Sequence, residues 1–430
     1  GFSDHDAVSV ELPVSTKEEK KKRKKFILRN GKIRNEKKFK ETIKRMVGEF
    51  LSLPPKVNCE QKAEFLSKAC SKAIKDNAPN KKVTVGVSQG SILSKDTRNL
   101  MSERDAAKKL VNRVPPNERH VQREKYKTLR NRVISSLRLD RKRSVTDSLS
   151  RGENPWHVAD RILGKKRNPE FHLKNEEGKF IQDDKTKADV MNDFFVTKVQ
   201  RLRARIDGLE IKNEETKGSG NYGGKFSFKS VTVNDVKNIL KRMKRSRSCG
   251  IDGISTEYIK PVIKEIAPAI ADLINSSLSE GVFPQCFKLA KIVCIYKGKG
   301  DRTDKNSYRP VSNLPLLGKC IEVAADIQLR IYCEKYGLFG CHQHGFRRAR
   351  STTTALLTAV SQWRIRRNER RYQGILIFDL SAAYDLLDRR TFLTKAKSYG
   401  IDGTALNWLE SYLSNRSQMV QINNSRSSPR

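Results

Sequence analysis

The chain has 430 residues, with 88 lysines and arginines against 48 aspartates and glutamates, a net charge of +40 or about one positive charge per eleven residues. A balance this basic requires an anionic partner. No run approaches the roughly 18–20 continuous apolar residues of a membrane-spanning helix and no signal peptide is visible, so nucleic acid stands ahead of a membrane surface.

At 37% hydrophobic, 7% aromatic and 32% charged residues, and a mean hydropathy of −0.66, part of the chain can bury a core and part cannot, and two or three units are expected. The first residue is Gly1 and the last are Ser428, Pro429 and Arg430; both ends read as cuts through a longer frame. Eight cysteines spread from Cys59 to Cys341 contain no Cys-x-x-Cys pair, which fits neither a disulfide framework nor a zinc ribbon and points to a reducing compartment. Cys341, His342 and His344 crowd donors into four residues. A tetrahedral zinc site draws on two separated pairs, so this patch reads as packing and loop residues.

In chain order, residues 1–12 resemble the end of a strand, with Phe2, Val8, Val10 and Leu12 around a polar turn and Pro13 as the stop. Lys17–Lys25 holds seven basic residues and two glutamates, either a solvated tract or a nucleic-acid contact. From Phe39 to Leu139 the pattern is helical and polar. Tyr126, Leu129, Val133 and Leu137 recur at steps of three and four, while Arg123, Lys127, Arg130, Arg132, Arg138, Arg141, Lys142 and Arg143 cover the other faces. Pro115 and Pro116 divide this region into two helical pieces. A short apolar helix is expected around Trp156–Leu163, and Lys212–Lys225, with four glycines among polar residues, is the best linker. A folded domain is expected to begin near Phe226, with Thr232 capping a helix from Val233 to about Met243.

Ala290–Tyr296 is a β-type run, followed by the basic glycine loop Lys297-Gly298-Lys299-Gly300 and a returning strand at Tyr308–Ser312. Such a hairpin, with Lys297, Lys299 and Arg309, is able to close on phosphates; an exposed basic turn fits the same residues. Arg347, Arg348 and Arg350 precede a helix that Ser351 or Thr352 caps, which reads either as a backbone-phosphate contact or as a capped surface helix. Ile375–Phe378 is the pattern of a fully buried strand and it ends in Asp379. A carboxylate there is costly unless paired or bound to a cation, which makes metal ligation plausible.

These residues carry a resemblance. Tyr308-Arg309-Pro310-Val311-Ser312, Gln343-His344-Gly345-Phe346-Arg347 and Phe378-Asp379-Leu380-Ser381-Ala382-Ala383-Tyr384-Asp385 resemble, in order, the early motifs of reverse transcriptases from non-LTR (LINE-type) retrotransposons. Cys249–Ile254 is similar to the small-Gly-x-Asp-Gly-Ile turn that precedes them, and the matching stretch covers about residues 231–423. Phe2–Val8 is similar to the last motif of the apurinic-type endonuclease upstream of such polymerases, with Asp4 and His5 at positions that orient metal and scissile phosphate.

The resemblance implies an α+β fold: right-hand polymerase fingers over 226–374 and the start of a palm over 375–430. Ahead of them it implies an endonuclease remnant over 1–13, without cutting activity, and a basic, mainly helical and partly disordered linker over 14–225. It implies Asp379 as the first metal-binding aspartate, with the Leu380 carbonyl as an additional magnesium ligand, and Tyr384 beneath the incoming sugar, disfavouring a 2′-hydroxyl. Lys297, Lys299 and Arg309 would hold the triphosphate, and Gln343, Gly345, Phe346, Arg347 and Arg348 would grip template or primer. Its partners would be an RNA template, a DNA primer or target and deoxynucleotides, in a nuclear and cytoplasmic ribonucleoprotein.

The family's two-magnesium displacement needs a later Asp-Asp pair, behind a Gly-x-Pro-Gln-Gly-Ser motif, which falls after Arg430; the chain alone is expected not to polymerise. Gly86–Leu93 imitates that missing motif but lies upstream of Asp379 and has Ser88 in place of Pro, so it is set aside. Asp385 and Asp388 are expected to face solvent or cap the next helix. The alternative function is a basic RNA- or DNA-binding protein that keeps a polymerase scaffold without catalysis.

Overall fold

The computed structural model describes residues 25–29, 33–84, 93–111, 113–153, 155, 158–159, 171–175, 177–207, 224–380 and 382–430. The endonuclease-like segment with Asp4 and His5, most of Lys17–Lys25, the Gly86–Leu93 stretch, nearly all of Trp156–Leu163 and the linker up to residue 223 lie outside the described residues, as does Ser381. The chain forms two compact units, one of Gly1–Leu28 with Lys82–Glu170 and one of Arg29–Lys81 with Phe171–Arg430.

The early elements are β1 (Lys25–Arg29), α1 (Glu36–Leu51), α2 (Cys59–Asn77), β2 (Asn80–Thr84), α3 (Lys95–Val111) and α4 (Arg119–Ser150), and β1 pairs with β2. In the first unit α3 and α4 pack on one another, with Pro115 and Pro116 in the connection, where the missing N–H groups end helical pairing. The expected stripe on α4 faces inward: Val133 is buried and Tyr126, Leu129 and Leu137 are half-buried, while all eight predicted basic residues are exposed. The pair is pinned by a polar clasp. Asp140 accepts from the Ser94 backbone N–H at 2.8 Å, and the Thr97 and Ser136 hydroxyls meet at 2.6 Å. Bonds from Thr97 and Ser94 hold the Asp140 carboxyl below its usual range.

The second unit adds α5 (Asp184–Asp207), α6 (Val233–Arg242), α7 (Ile263–Glu280), β3 (Leu289–Tyr296), β4 (Tyr308–Asn313), α8 (Leu316–Lys335), α9 (Thr352–Asn368), α10 (Arg389–Ser398), α11 (Gly403–Leu413), β5 (Ser417–Ile422) and β6 (Ser425–Arg426). Its main core gathers α1, α2, α6, α7, α8 and α11. Thr232 caps α6 as expected, in a reciprocal capping box with Asp235. The α1 and α2 apolar faces, spaced at Phe39, Ile43, Met46 and Phe50 and at Ala63, Leu66, Cys70 and Ala73, are buried in this core beside residues more than 150 positions later. Polar bonds fix their register: the Cys59 N–H donates to the Glu280 carboxylate at 3.0 Å, and the Lys62 ammonium reaches Asp272 at 2.8 Å.

The sheet runs β4-β3-β5-β6, with β3 antiparallel to β4 and parallel to β5. Ala188, Met191 and Phe195 of α5 cluster with Ile292, Tyr308, Val420 and Ile422 of the sheet, forming a second core. All eight thiols are unpaired, and burial pushes Cys59, Cys70, Cys286, Cys294 and Cys320 up to about 12. No helix among the described residues is long and apolar enough to cross a membrane.

Candidate functional site

The strand–loop–strand expected around Lys297 is present. Gly298 and Gly300 both adopt φ of +83°, a left-handed backbone that disfavours side chains. A Cβ on Gly300 would also stand 2.6 Å from the Ser307 hydroxyl. The loop is closed by the Lys297 N–H donating to the Ser307 carbonyl at 2.8 Å, the Tyr296 hydroxyl donating to the Gly300 carbonyl at 2.6 Å and the Lys297 ammonium donating to the Asn306 carbonyl at 2.6 Å.

Arg309, paired across the hairpin with Ile295, is exposed, as is Lys299. The Lys297 ammonium is held below the usual lysine range, first by partial burial and then by the charges of Lys198, Arg309 and Lys299. Four cations therefore share one field, which the Asp304 carboxylate opposes in part. Three of them were legible as a motif; Lys198, contributed by α5, was not. The signal for it was present in α5 itself, where Lys198, Arg201 and Arg205 recur at steps of three and four.

The Gln343–Arg348 stretch lies in a loop before α9, and Ser351 is the residue that caps this helix, its hydroxyl accepting from the Thr354 N–H at 3.2 Å. His344 Nδ1 meets the Thr354 hydroxyl at 2.8 Å, which ties the loop to the helix. Arg347 points inward. Its guanidinium forms a two-pronged pair with Glu334 at 2.9 and 2.7 Å, donates to the Gly340 carbonyl at 3.0 Å and lies over the Phe339 ring. In this arrangement its donors brace the loop. Gln343, Gly345 and Arg348 are exposed. Phe346, at φ +61°, meets the Tyr384 ring edge-on with centroids 6.4 Å apart, so the loop and the later motif are brought together through two rings that are 74% and 80% exposed.

The segment ending in Asp379 departs from its buried-strand expectation. Residues 371–380 have no regular secondary structure, and Ile377 and Phe378 are 90% and 85% exposed. A strand needs a hydrogen-bonding neighbour and a covered face, and among the described residues no strand pairs with this segment. Asp379 and Leu380 are both exposed.

Among the described residues no group of three His, Cys, Asp or Glu side chains is placed to hold a metal ion. One carboxylate and one carbonyl fall short of the oxygen set magnesium requires, so the residues as arranged do not make the two-metal centre. Asp388 caps α10, accepting from the Thr391 N–H at 2.6 Å, and Asp385 faces solvent.

The Cys249–Ile254 turn is the most constrained motif. A Cβ on Gly250 would lie 2.6 Å from the Pro315 nitrogen, and Gly253 has φ of +72°. Asp252 is half-buried with its carboxylate turned inward. Its Oδ1 accepts from the Ile254 N–H at 3.1 Å, its Oδ2 is buried with no hydrogen-bond partner among the described residues, and the Ser71 hydroxyl donates to its carbonyl at 2.5 Å. Burial raises its carboxyl to about 6, against the opposing pull of Lys291 and Lys319.

A profile of the reverse transcriptase (RNA-dependent DNA polymerase) family matches residues 296–430. Among curated proteins, the chain is 23% identical over 367 residues to a probable RNA-directed DNA polymerase from transposon BS of Drosophila melanogaster, covering 80% of this chain and 38% of that protein. It is 25% identical over 242 residues to the RNA-directed DNA polymerase from mobile element jockey of the same species, covering 56% and 26%. It is 34% identical over 93 residues to a retrovirus-related Pol polyprotein from type-1 retrotransposable element R1 of Bradysia coprophila, covering 21% and 9%. The chain thus spans less than two fifths of the length of these relatives. Residues 296–430 thus match the reverse transcriptase family, and the chain is similar to RNA-directed DNA polymerases of non-LTR retrotransposons.

Proposed function

We propose that the chain supplies the nucleotide- and template-holding part of a retrotransposon reverse transcriptase, with fingers over 226–374, the start of the palm over 375–430 and a basic helical RNA-binding region over 14–225. The observation that carries this is the convergence of Lys297, Lys299, Arg309 and Lys198 on a hairpin whose glycines fix the loop backbone. Cations confined in one field are stabilised by a polyanion, and a deoxynucleoside triphosphate has the matching charge. Phe346 and Tyr384 offer adjacent exposed rings for a base and a sugar. Magnesium would join Asp379 and the Leu380 carbonyl once further carboxylates are supplied. The setting proposed is a ribonucleoprotein of nucleus and cytoplasm, with RNA template and DNA primer or target as partners.

The test is binding of a labelled primer–template with and without the templated deoxynucleotide. The complementary nucleotide should slow dissociation, and Lys297→Ala with Arg309→Ala should abolish that effect while leaving primer–template affinity within about threefold. A nucleotide effect that survives the double substitution removes the proposed triphosphate site. Primer extension by this chain alone should be absent; robust extension lost in Asp379→Ala would show that its carboxylates suffice. The second reading, a nucleic-acid-binding protein without catalysis, is favoured by the solitary position of Asp379 and predicts binding with no nucleotide effect at all.

A further inference from the structure

The second core leaves one face of α5 open. Met191 and Phe195 turn toward the sheet, while Phe194, Lys198, Arg201, Leu202 and Arg205 line a groove of about 560 Å³ closed on its other side by Lys305 and Asn306. From Lys198 to Arg205 the cations climb about 10 Å along one helical face, at roughly 1.5 Å per residue. Among the described residues no carboxylate pairs with Lys198, Arg201 or Arg205. The acidic lining residue, Asp193, is engaged by Arg430 at 2.7 Å. The Lys305 ammonium sits 5.7 Å from the Phe194 ring centroid, placing a cation over an aromatic floor. The row does not stop at the groove, because the charge of Lys198 also reaches Lys297, on which Arg309 and Lys299 act as well.

We propose that this groove is a binding track for single-stranded RNA, running along α5 and ending at the fingers hairpin. The extent of the row selects the ligand. One triphosphate neutralises the hairpin cluster and leaves Arg201 and Arg205 unmatched, whereas successive phosphates of an extended strand meet the whole row. The exposed part of Phe194 and the Leu202 side chain between the cations suit a strand with apolar base faces better than an acidic peptide. The inference rests on the RNA-binding reading above and adds to it a path outside the loop and palm motifs.

The experiment uses the full chain and a fluorescently labelled single-stranded RNA of ~16 nucleotides, titrated by anisotropy across a salt series. Each phosphate contact on a single strand contributes about 0.7 to the slope of log affinity against log salt. Lys198→Ala/Arg201→Ala/Arg205→Ala should therefore flatten the slope by about 2 and weaken binding at least tenfold at moderate salt. The charge-conserving Lys198→Arg/Arg201→Lys/Arg205→Lys should hold the wild-type slope, which separates lost charge from a damaged helix.

A triple-alanine variant with the wild-type slope and affinity overturns the track, while wild-type RNA binding leaves the broader reading in place. No RNA binding by the wild-type chain at low salt removes both. Competition by poly-glutamate at the concentrations effective for RNA, or by inorganic triphosphate with the RNA slope unaffected by the alanines, also overturns it, assigning the face to an acidic peptide or to a free nucleotide.

Discussion

Two helices of the same unit behave in opposite ways. In α7 nine residues are buried, including Ile266, Ile270, Leu273, Ile274 and Leu278, whereas α9, of nearly equal length, buries none and exposes Leu356, Leu357 and Ile365. The difference extends beyond them. Around α7 the chain is locked by Phe283, Phe287, Trp408 and Tyr412, with Trp408 and Tyr412 stacked; from Phe346 to Leu387 most of the large apolar groups stand in solvent. Apolar content alone therefore does not decide burial. What decides it is whether neighbouring elements offer a complementary face, and the motifs with the strongest chemical expectation sit where that face is missing.

The widest contrast is between two phenylalanines. Phe283 is fully buried against three aromatic rings, and Phe283→Ala removes that packing and leaves a cavity, at a cost of about 3–5 kcal/mol. Phe378, 85% exposed, should change stability by no more than about 0.5 kcal/mol on the same replacement. Urea unfolding followed by tryptophan fluorescence in a Trp156→Phe/Trp363→Phe background, where Trp408 beside Phe283 is the remaining indole, measures both. Equal costs would mean that residues 375–380 are packed in solution and would erase the contrast.

How much of this was legible follows the same division. Periodicity located the inward stripe of α4 and the capped helix after Thr232, because both depend on residues within a few positions of each other. The β3–loop–β4 hairpin was legible for the same reason, since turn chemistry is local. Ile375–Phe378 was misplaced by the sequence because its alternation-free apolar run states a need for burial without naming a partner strand. The joining of α1 and α2 to the later core, and of Lys198 to the hairpin cations, was equally invisible: a helical pattern marks a face but not what covers it. Arg347 shows a third case, in which the residue was noticed and its bonding to Glu334 was not, since nothing local in the sequence links positions thirteen apart across a turn.

A buried carboxylate sharpens the comparison through pH. Burial raises Asp252 from 3.8 to about 6, so between those values the folded state binds a proton that the unfolded chain has released, and stability falls as pH rises through the window. Above it the full cost of the buried charge is present, at most about 3 kcal/mol for a shift of about two pKa units. Asp252→Asn removes the charge. The variant should be more stable than the parent at pH 7, and its advantage should shrink to nothing near pH 4, measured as urea midpoints at matched pH. An advantage independent of pH would mean that Asp252 is not the titrating group.

The smallest effect is the most selective, because it compares two motif glycines chosen by the same resemblance. At Gly250 an added methyl group meets the Pro315 nitrogen at 2.6 Å and the Leu314 carbonyl carbon at 2.8 Å, both backbone atoms unable to swing aside. Gly250→Ala must therefore shift the turn or the start of α8, at about 1–3 kcal/mol. At Gly345 the same methyl group meets nothing within 4 Å, and its φ lies outside the left-handed region, so Gly345→Ala should be neutral or slightly stabilising through the unfolded chain, by up to about 1 kcal/mol. The pair separates two reasons for a glycine in a motif. A neutral Gly345→Ala that nonetheless weakens primer–template binding would assign that glycine to close approach by a ligand, whereas a destabilising one would show the loop packed against protein, bringing it to the locked side of the molecule.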